Sequence, residues 1–139
     1  MWRTQPEPDT KGYTPTMNPT ILKGACHCGA VTFEADTPPE PAVRCNCSLC
    51  RRRGAVMSPP FTRDRLRILS GEHELALYEF NTQVAKHFFC KRCGIYTFHQ
   101  TRSNPDMWRV NLGCIDGVDA YSLDAPVADG ASHSVVGRP

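Results

Sequence analysis

Eight cysteines constrain this 139-residue chain more than any other feature, because seven of them fall in three short groups. Cys26 and Cys28 are spaced as CxC, Cys45, Cys47 and Cys50 as CxCxxC, and Cys90 and Cys93 as CxxC, while Cys114 stands alone. A disulfide knot, a metal site and a redox centre are the three readings open to such a pattern. No run approaches the roughly 18 apolar residues of a membrane span, and the opening MWRTQPEPDTKG lacks the apolar stretch of a secretory signal. The expectation is a soluble, cytoplasmic protein, in a reducing compartment that keeps thiols unpaired and moves the reading from disulfides to metal or catalysis.

Spacing then separates the groups. Zinc is held tetrahedrally by thiolates about 2.3 Å away, and two ligands one or two residues apart can reach one ion from a tight turn. Cys26, Cys28, Cys90 and Cys93 therefore form a plausible closed four-thiolate site with a folding role, clamping an early hairpin to a distant segment. Gly29 and Gly94 follow the two pairs, where such turns need a residue tolerant of positive φ. A redox role for the CxxC pair lacks the βαβ pattern that usually accompanies it.

The middle group differs, since Cys45, Cys47 and Cys50 supply three ligands and leave the fourth position of a tetrahedral ion free for substrate. Three thiolates on Zn²⁺ leave a net charge of −1 and a weak Lewis acid, better suited to thiolate exchange than to activating water. The neighbouring Arg44, Arg51, Arg52 and Arg53 would offset that charge and offer paired donors to carboxylates. A small acidic thiol is the substrate this chemistry favours. Cys114 as a fourth ligand, which would make the site structural, stays open at this stage.

Charge is nearly balanced, with 16 Lys and Arg against 14 Asp and Glu, so no global field argues for nucleic acid or an anionic membrane. A partner-binding module is the competing function class, using the Arg51, Arg52 and Arg53 cluster together with Arg63, Arg65 and Arg67. On a strand, those last three would point to one face.

Length allows one domain. Residues 1–20 contain Pro6, Pro8, Pro15 and Pro19 and few large apolar groups, which predicts a flexible tail. Residues 21–125 form the zinc-binding catalytic domain, and 126–139, rich in Ala, Ser, Gly, Pro and Val, are expected to be loosely packed. Between them, short alternating runs at 31–35, 55–57, 66–69, 75–80, 84–89, 95–99 and 107–112 predict strands, with one helical turn near 48–53. The fold class is all-β.

In order along the chain, GACHCGAVTF, CNCSLCRRRG, FFCKRCGIYTF and VNLGCIDG resemble the glutathione-dependent formaldehyde-activating enzyme family, which includes centromere protein V. The resemblance implies several coiled antiparallel β-sheets with zinc knuckles, similar to B-type methionine sulfoxide reductases and translationally controlled tumour protein. It implies two zinc ions per chain, a structural one between the CxC and CxxC knuckles and a catalytic one on Cys45, Cys47 and Cys50. There, glutathione and formaldehyde would meet as S-hydroxymethylglutathione, in a reaction of the carbon–sulfur lyase type. No general base is identifiable from the residues. His99 is a candidate by its ordinary pKa near 6.5, although a strand-end histidine is more often structural, and His27 and His87 are given no role.

Overall fold

The computed structural model describes residues 20–80 and 82–133, so the expectation for the N-terminal tail lies outside the described residues apart from Thr20. Ten strands and one short helix follow in the order β1 (Ile21–Ala25), β2 (Thr32–Asp36), β3 (Arg44–Cys45), α1 (Cys50–Arg53), β4 (Phe61–Thr62), β5 (Leu66–Ser70), β6 (Leu75–Tyr78), β7 (Lys86–Cys90), β8 (Tyr96–Gln100), β9 (Met107–Val110) and β10 (Val127–Ala128). The all-β expectation holds, and the helical turn falls where it was predicted.

One antiparallel sheet has the order β1-β2-β5 and a second, five-stranded one the order β4-β9-β8-β7-β6. The core lies between them. Phe33 of the first sheet meets Phe98 of the second edge to face at 5.3 Å, and Phe88 and Trp108 close around Phe98. Aromatic pairs of this kind add about 0.5–1.5 kcal/mol each beyond the area they bury. Gly24 of β1 is packed so closely that a Cβ there would stand 2.5 Å from the Phe33 ring.

Three expectations are corrected. Residues 55–57 form no strand, since Met57 makes only isolated bridges to Val43 and Asn111. Arg63 and Arg65 sit in a 3-10 turn, Arg63–Arg65, while Arg67 on β5 is tied to Glu34 and Asp36, so the three arginines do not share a strand face. The segment from 126 onward begins with β10, which pairs in parallel with β3 where loose packing was expected. Backbone hydrogen bonds outweigh its weak apolar pattern: Arg44 N donates to Pro126 O and Asn46 N to Ala128 O.

The second sheet sorts its side chains by register. Phe88, Phe98 and Val110 lie side by side across β7, β8 and β9, and so do His87, His99 and Arg109. Successive strand residues point to opposite faces, so the first row enters the core and the second row enters the other side. Between the Phe88:Phe98 and Phe89:Tyr96 pairs, β8 advances two residues while β7 advances one. The extra residue, Thr97, is a β-bulge, anchored by Thr97 Oγ1 donating to Phe88 O at 2.9 Å. It moves Tyr96 onto the face that carries His87 and His99.

Candidate metal centres and the cavity beside them

All eight cysteines are free thiols, which removes the disulfide reading. Cys26, Cys28, Cys90 and Cys93 bring their Sγ atoms within 4.8 Å of one another, with 3.6 Å between Cys26 and Cys28 and 3.8 Å between Cys28 and Cys90. A tetrahedron with sulfur about 2.3 Å from its centre has edges of about 3.8 Å, so the four thiols fit a zinc ion. Gly29 and Gly94 both adopt φ of 80° with no atom crowding their missing Cβ, so backbone conformation is what each turn demands.

Cys45 at the end of β3, Cys47 in the following loop and Cys50 at the start of α1 gather a second set of thiols within 4.8 Å. The Cys47 amide points at Cys45 Sγ and the Cys50 amide at Cys47 Sγ, each at 3.4 Å. Hydrogen bonds from the Cys45 and Cys50 thiols pull Cys47 far below the usual thiol range, and the Cys45 and Cys47 sulfurs push Cys50 far above it. Three thiols this close cannot all ionise unless a cation joins them. The donor set suits zinc.

Cys114 joins neither group. It is buried, donates from Sγ to Tyr96 O at 3.4 Å, and burial raises its pKa to about 12. Among the described residues the second cluster therefore has three sulfurs and an open side.

That side faces a cavity of about 510 Å³. Arg44, Arg53, Arg102 and Arg109 line it, together with His87, Tyr96 and His99. Arg51 and Arg52, expected near the substrate, are exposed and do not line it; Arg52 Nη1 instead donates to Ser48 O at 2.7 Å. Residues three apart on a helix share a face, so Arg53 follows Cys50 inward while its neighbours turn to solvent. The Arg53 guanidinium lies 3.8 Å over the Tyr96 ring, and its Nη1 is a sealed nitrogen with no hydrogen-bond partner.

Sequence reasoning missed Tyr96 and Arg109 at this cavity. The signal for Arg109 is its place opposite His99, which requires the register, and the signal for Tyr96 is the bulge, which no alternation reveals. Burial, reinforced by Arg53, lowers the His87 pKa to about 4 and also holds His99 well below its ordinary range, so both imidazoles are neutral at pH 7. His27 lies in the first knuckle and is not among the four clustered ligands.

The cavity is closed on one side by the chain's C-terminal strap. Asn46, the residue between Cys45 and Cys47, donates from Nδ2 to Asp129 Oδ1 and accepts at Oδ1 from Ala131 N. Gly130 passes so close that a Cβ there would stand 2.5 Å from Cys45 Sγ.

The family model for the glutathione-dependent formaldehyde-activating enzyme matches residues 21–128. The chain belongs to that family. A relative from Halomonas elongata, named "Putative glutathione-dependent formaldehyde-activating enzyme", is 35% identical over 82 residues. That match takes in 52% of this chain and 52% of the relative, about half its length. Among solved structures, a crystal structure of a Rhodobacter sphaeroides protein is 46% identical, with a TM-score of 0.73, covering 76% of this chain and 99% of the other. Among the described residues no helix is long and apolar enough to cross a membrane.

Proposed function

We propose that the cavity joins a small thiol bearing a carboxylate to an aldehyde, forming or cleaving a carbon–sulfur adduct, with glutathione and formaldehyde as the pair to which the family points. The observation that carries the reading is the meeting of three clustered thiols and four arginines on one cavity. The two donor sets support a reading of two zinc ions per chain, one structural and one at Cys45, Cys47 and Cys50. When bound to those three thiols, zinc supplies a cation that favours the thiolate form of an incoming thiol.

The chain's own residues account for the rest. Arg53 lines the cavity wall, and a carboxylate reaching the accessible part of its guanidinium would gain a charge-assisted hydrogen bond. Arg44 and Arg109 add positive charge; both also anchor backbone carbonyls, Arg44 that of Ala125 and Arg109 that of Ser58. These groups hold the thiol in one pose beside the cluster, which converts a bimolecular encounter into an oriented one. The thiol-rich site is suited to a reducing cytoplasm.

A module that binds nucleic acid or a protein through arginines has less support, because Arg67 is paired with Glu34 and Asp36 and Arg63 lies over the Trp108 ring and bonds Leu66 O.

Native mass spectrometry of reduced protein, before and after adding glutathione, tests the proposal. Two zinc ions and one glutathione per chain are expected, with the glutathione adduct lost in Cys47→Ser and weakened about tenfold or more in Arg53→Ala. A metal complement that ignores glutathione would sink it.

A further inference from the structure

Opposite the thiol cluster, the cavity wall carries a file of three neutral polar rings for which the positioning of a thiol gives no use. Tyr96 Oη lies between two imidazole nitrogens, hydrogen-bonded to His99 Nδ1 and 3.5 Å from His87 Nδ1. The His87 and His99 rings are cross-strand neighbours with centroids 5.2 Å apart, and the Tyr96 and His99 rings are stacked. All three side chains are buried, yet all three line the cavity.

Their partners are as informative as their positions. Neither imidazole has a carboxylate or a backbone carbonyl as a hydrogen-bond partner among the described residues; each spends its Nδ1 on the one hydroxyl. Neither Nε2 has a partner among the described residues, and neither is sealed, since Arg53 Nη1 is the sealed side-chain nitrogen without one. A histidine kept for structure is ordinarily tied through a second group that fixes its tautomer. Here the two rings share a single proton-carrying oxygen and line the cavity with their Nε2 atoms uncommitted among the described residues.

Joining a thiol to an aldehyde requires one proton to leave sulfur and one to arrive at oxygen. We propose that His87, Tyr96 and His99 form a proton relay along the cavity wall that carries the thiol proton to the aldehyde oxygen. The inference rests on the reading of the cavity given above. One imidazole takes the S–H proton at Nε2 and passes its Nδ1 proton to Tyr96 Oη. Tyr96 hands its own proton to Nδ1 of the other imidazole, which releases its Nε2 proton to the oxygen. One C–S bond forms, the C=O π bond becomes C–O–H, and nothing is oxidised or reduced. The two imidazoles end with exchanged tautomers, and the reverse reaction or exchange with water at Nε2 resets them. Burial keeps both imidazoles neutral and the Tyr96 hydroxyl protonated, which is the protonation state the relay needs at the start. The charged and titratable groups around the file are Arg53 over the Tyr96 ring, Arg109 opposite His99, and the Cys45, Cys47 and Cys50 thiols, with Arg44, Arg102 and Asp129 lining the same cavity.

Exchange NMR on ¹³C-formaldehyde and glutathione, with and without zinc-loaded protein, measures interconversion with the hydroxymethyl adduct above the spontaneous rate. Tyr96→Phe removes the bridging oxygen and keeps the ring under Arg53. Its expected effect is a loss on the order of 100-fold in the catalysed rate, within the usual range for general acid–base groups, with unchanged glutathione affinity and zinc content. Imidazole added to His99→Ala is expected to restore part of that variant's lost rate. A Tyr96→Phe protein that exchanges at the wild-type rate overturns the relay. Should Tyr96→Phe fail to fold, His87→Asn decides: a loss of tenfold or more supports the relay, and the wild-type rate overturns it. Wild-type protein that adds nothing to the spontaneous rate overturns the reading of the cavity itself and removes the relay with it.

Discussion

The two cysteine clusters are built from the same atoms and sit in different surroundings. In the four-thiol cluster, Cys90 is fully buried, two glycine turns present sulfurs from both sides, and the ligands join segments 62 residues apart. In the three-thiol cluster every thiol is half-buried, all come from one short segment running from the end of β3 to the start of α1, and one side faces a cavity. A closed donor set that bridges distant segments would, with a metal bound, stabilise the fold, whereas a local set with a free side would hold an ion without holding the chain together. The number of sulfurs matters less than what their backbone segments would do without the metal.

The sharpest way to break this contrast is to remove one sulfur from each cluster. Cys90→Ser should lose one metal equivalent and its cooperative thermal transition, because structural zinc contributes on the order of 10 kcal/mol, comparable to a whole domain's stability. Cys47→Ser should lose one equivalent and keep that transition. Equal melting temperatures in the two variants, followed by circular dichroism, would erase the distinction.

A smaller effect should come from pH. His87 has a folded pKa of about 4, below its unfolded value near 6.5, so between these values the unfolded chain binds a proton that the folded chain does not. Stability contributed by the neutral ring is complete above pH 6.5 and is lost as pH falls toward 4, by a few kcal/mol at most. His87→Asn should flatten the urea-melt stability profile over that window, and an unchanged slope would count against a neutral buried ring.

The smallest effect sharpens the account of the open cluster. Gly130→Ala places a methyl group against Cys45 Sγ, and overpacking of this size costs roughly 1–3 kcal/mol. Chelator titration should strip the weaker metal at lower concentration in that variant and leave the other unaffected. If both metals respond alike, the strap does not press on the three-thiol loop alone.

The cysteine groups were legible because spacing along a chain limits which sulfurs share an ion, whatever the surrounding fold. Strands β7, β8 and β9 were legible as alternating runs. β1 was not, since Lys23 and Gly24 interrupt its pattern, and Gly24 is there because the Phe33 ring needs the room. β3 and β10 have two residues each, too few for a period to register. Arg53 could have been found from its helical offset from Cys50, but a run of three arginines gives no phase until the helix start is known. Tyr96 was hidden by the bulge, which reverses the face that alternation assigns. Arg109 and the rings therefore depended on register, and Arg44 and the clustered cysteines did not.

One more consequence follows from the parallel pairing of β3 with β10. During synthesis the thiols at 45–50 emerge about eighty residues before the strand that covers them, which at about 5–20 residues per second is a delay of several seconds. Metal loading can precede closure, and so can damage by oxidants, so the nascent chain passes through an interval in which these thiols are more exposed than in the finished protein.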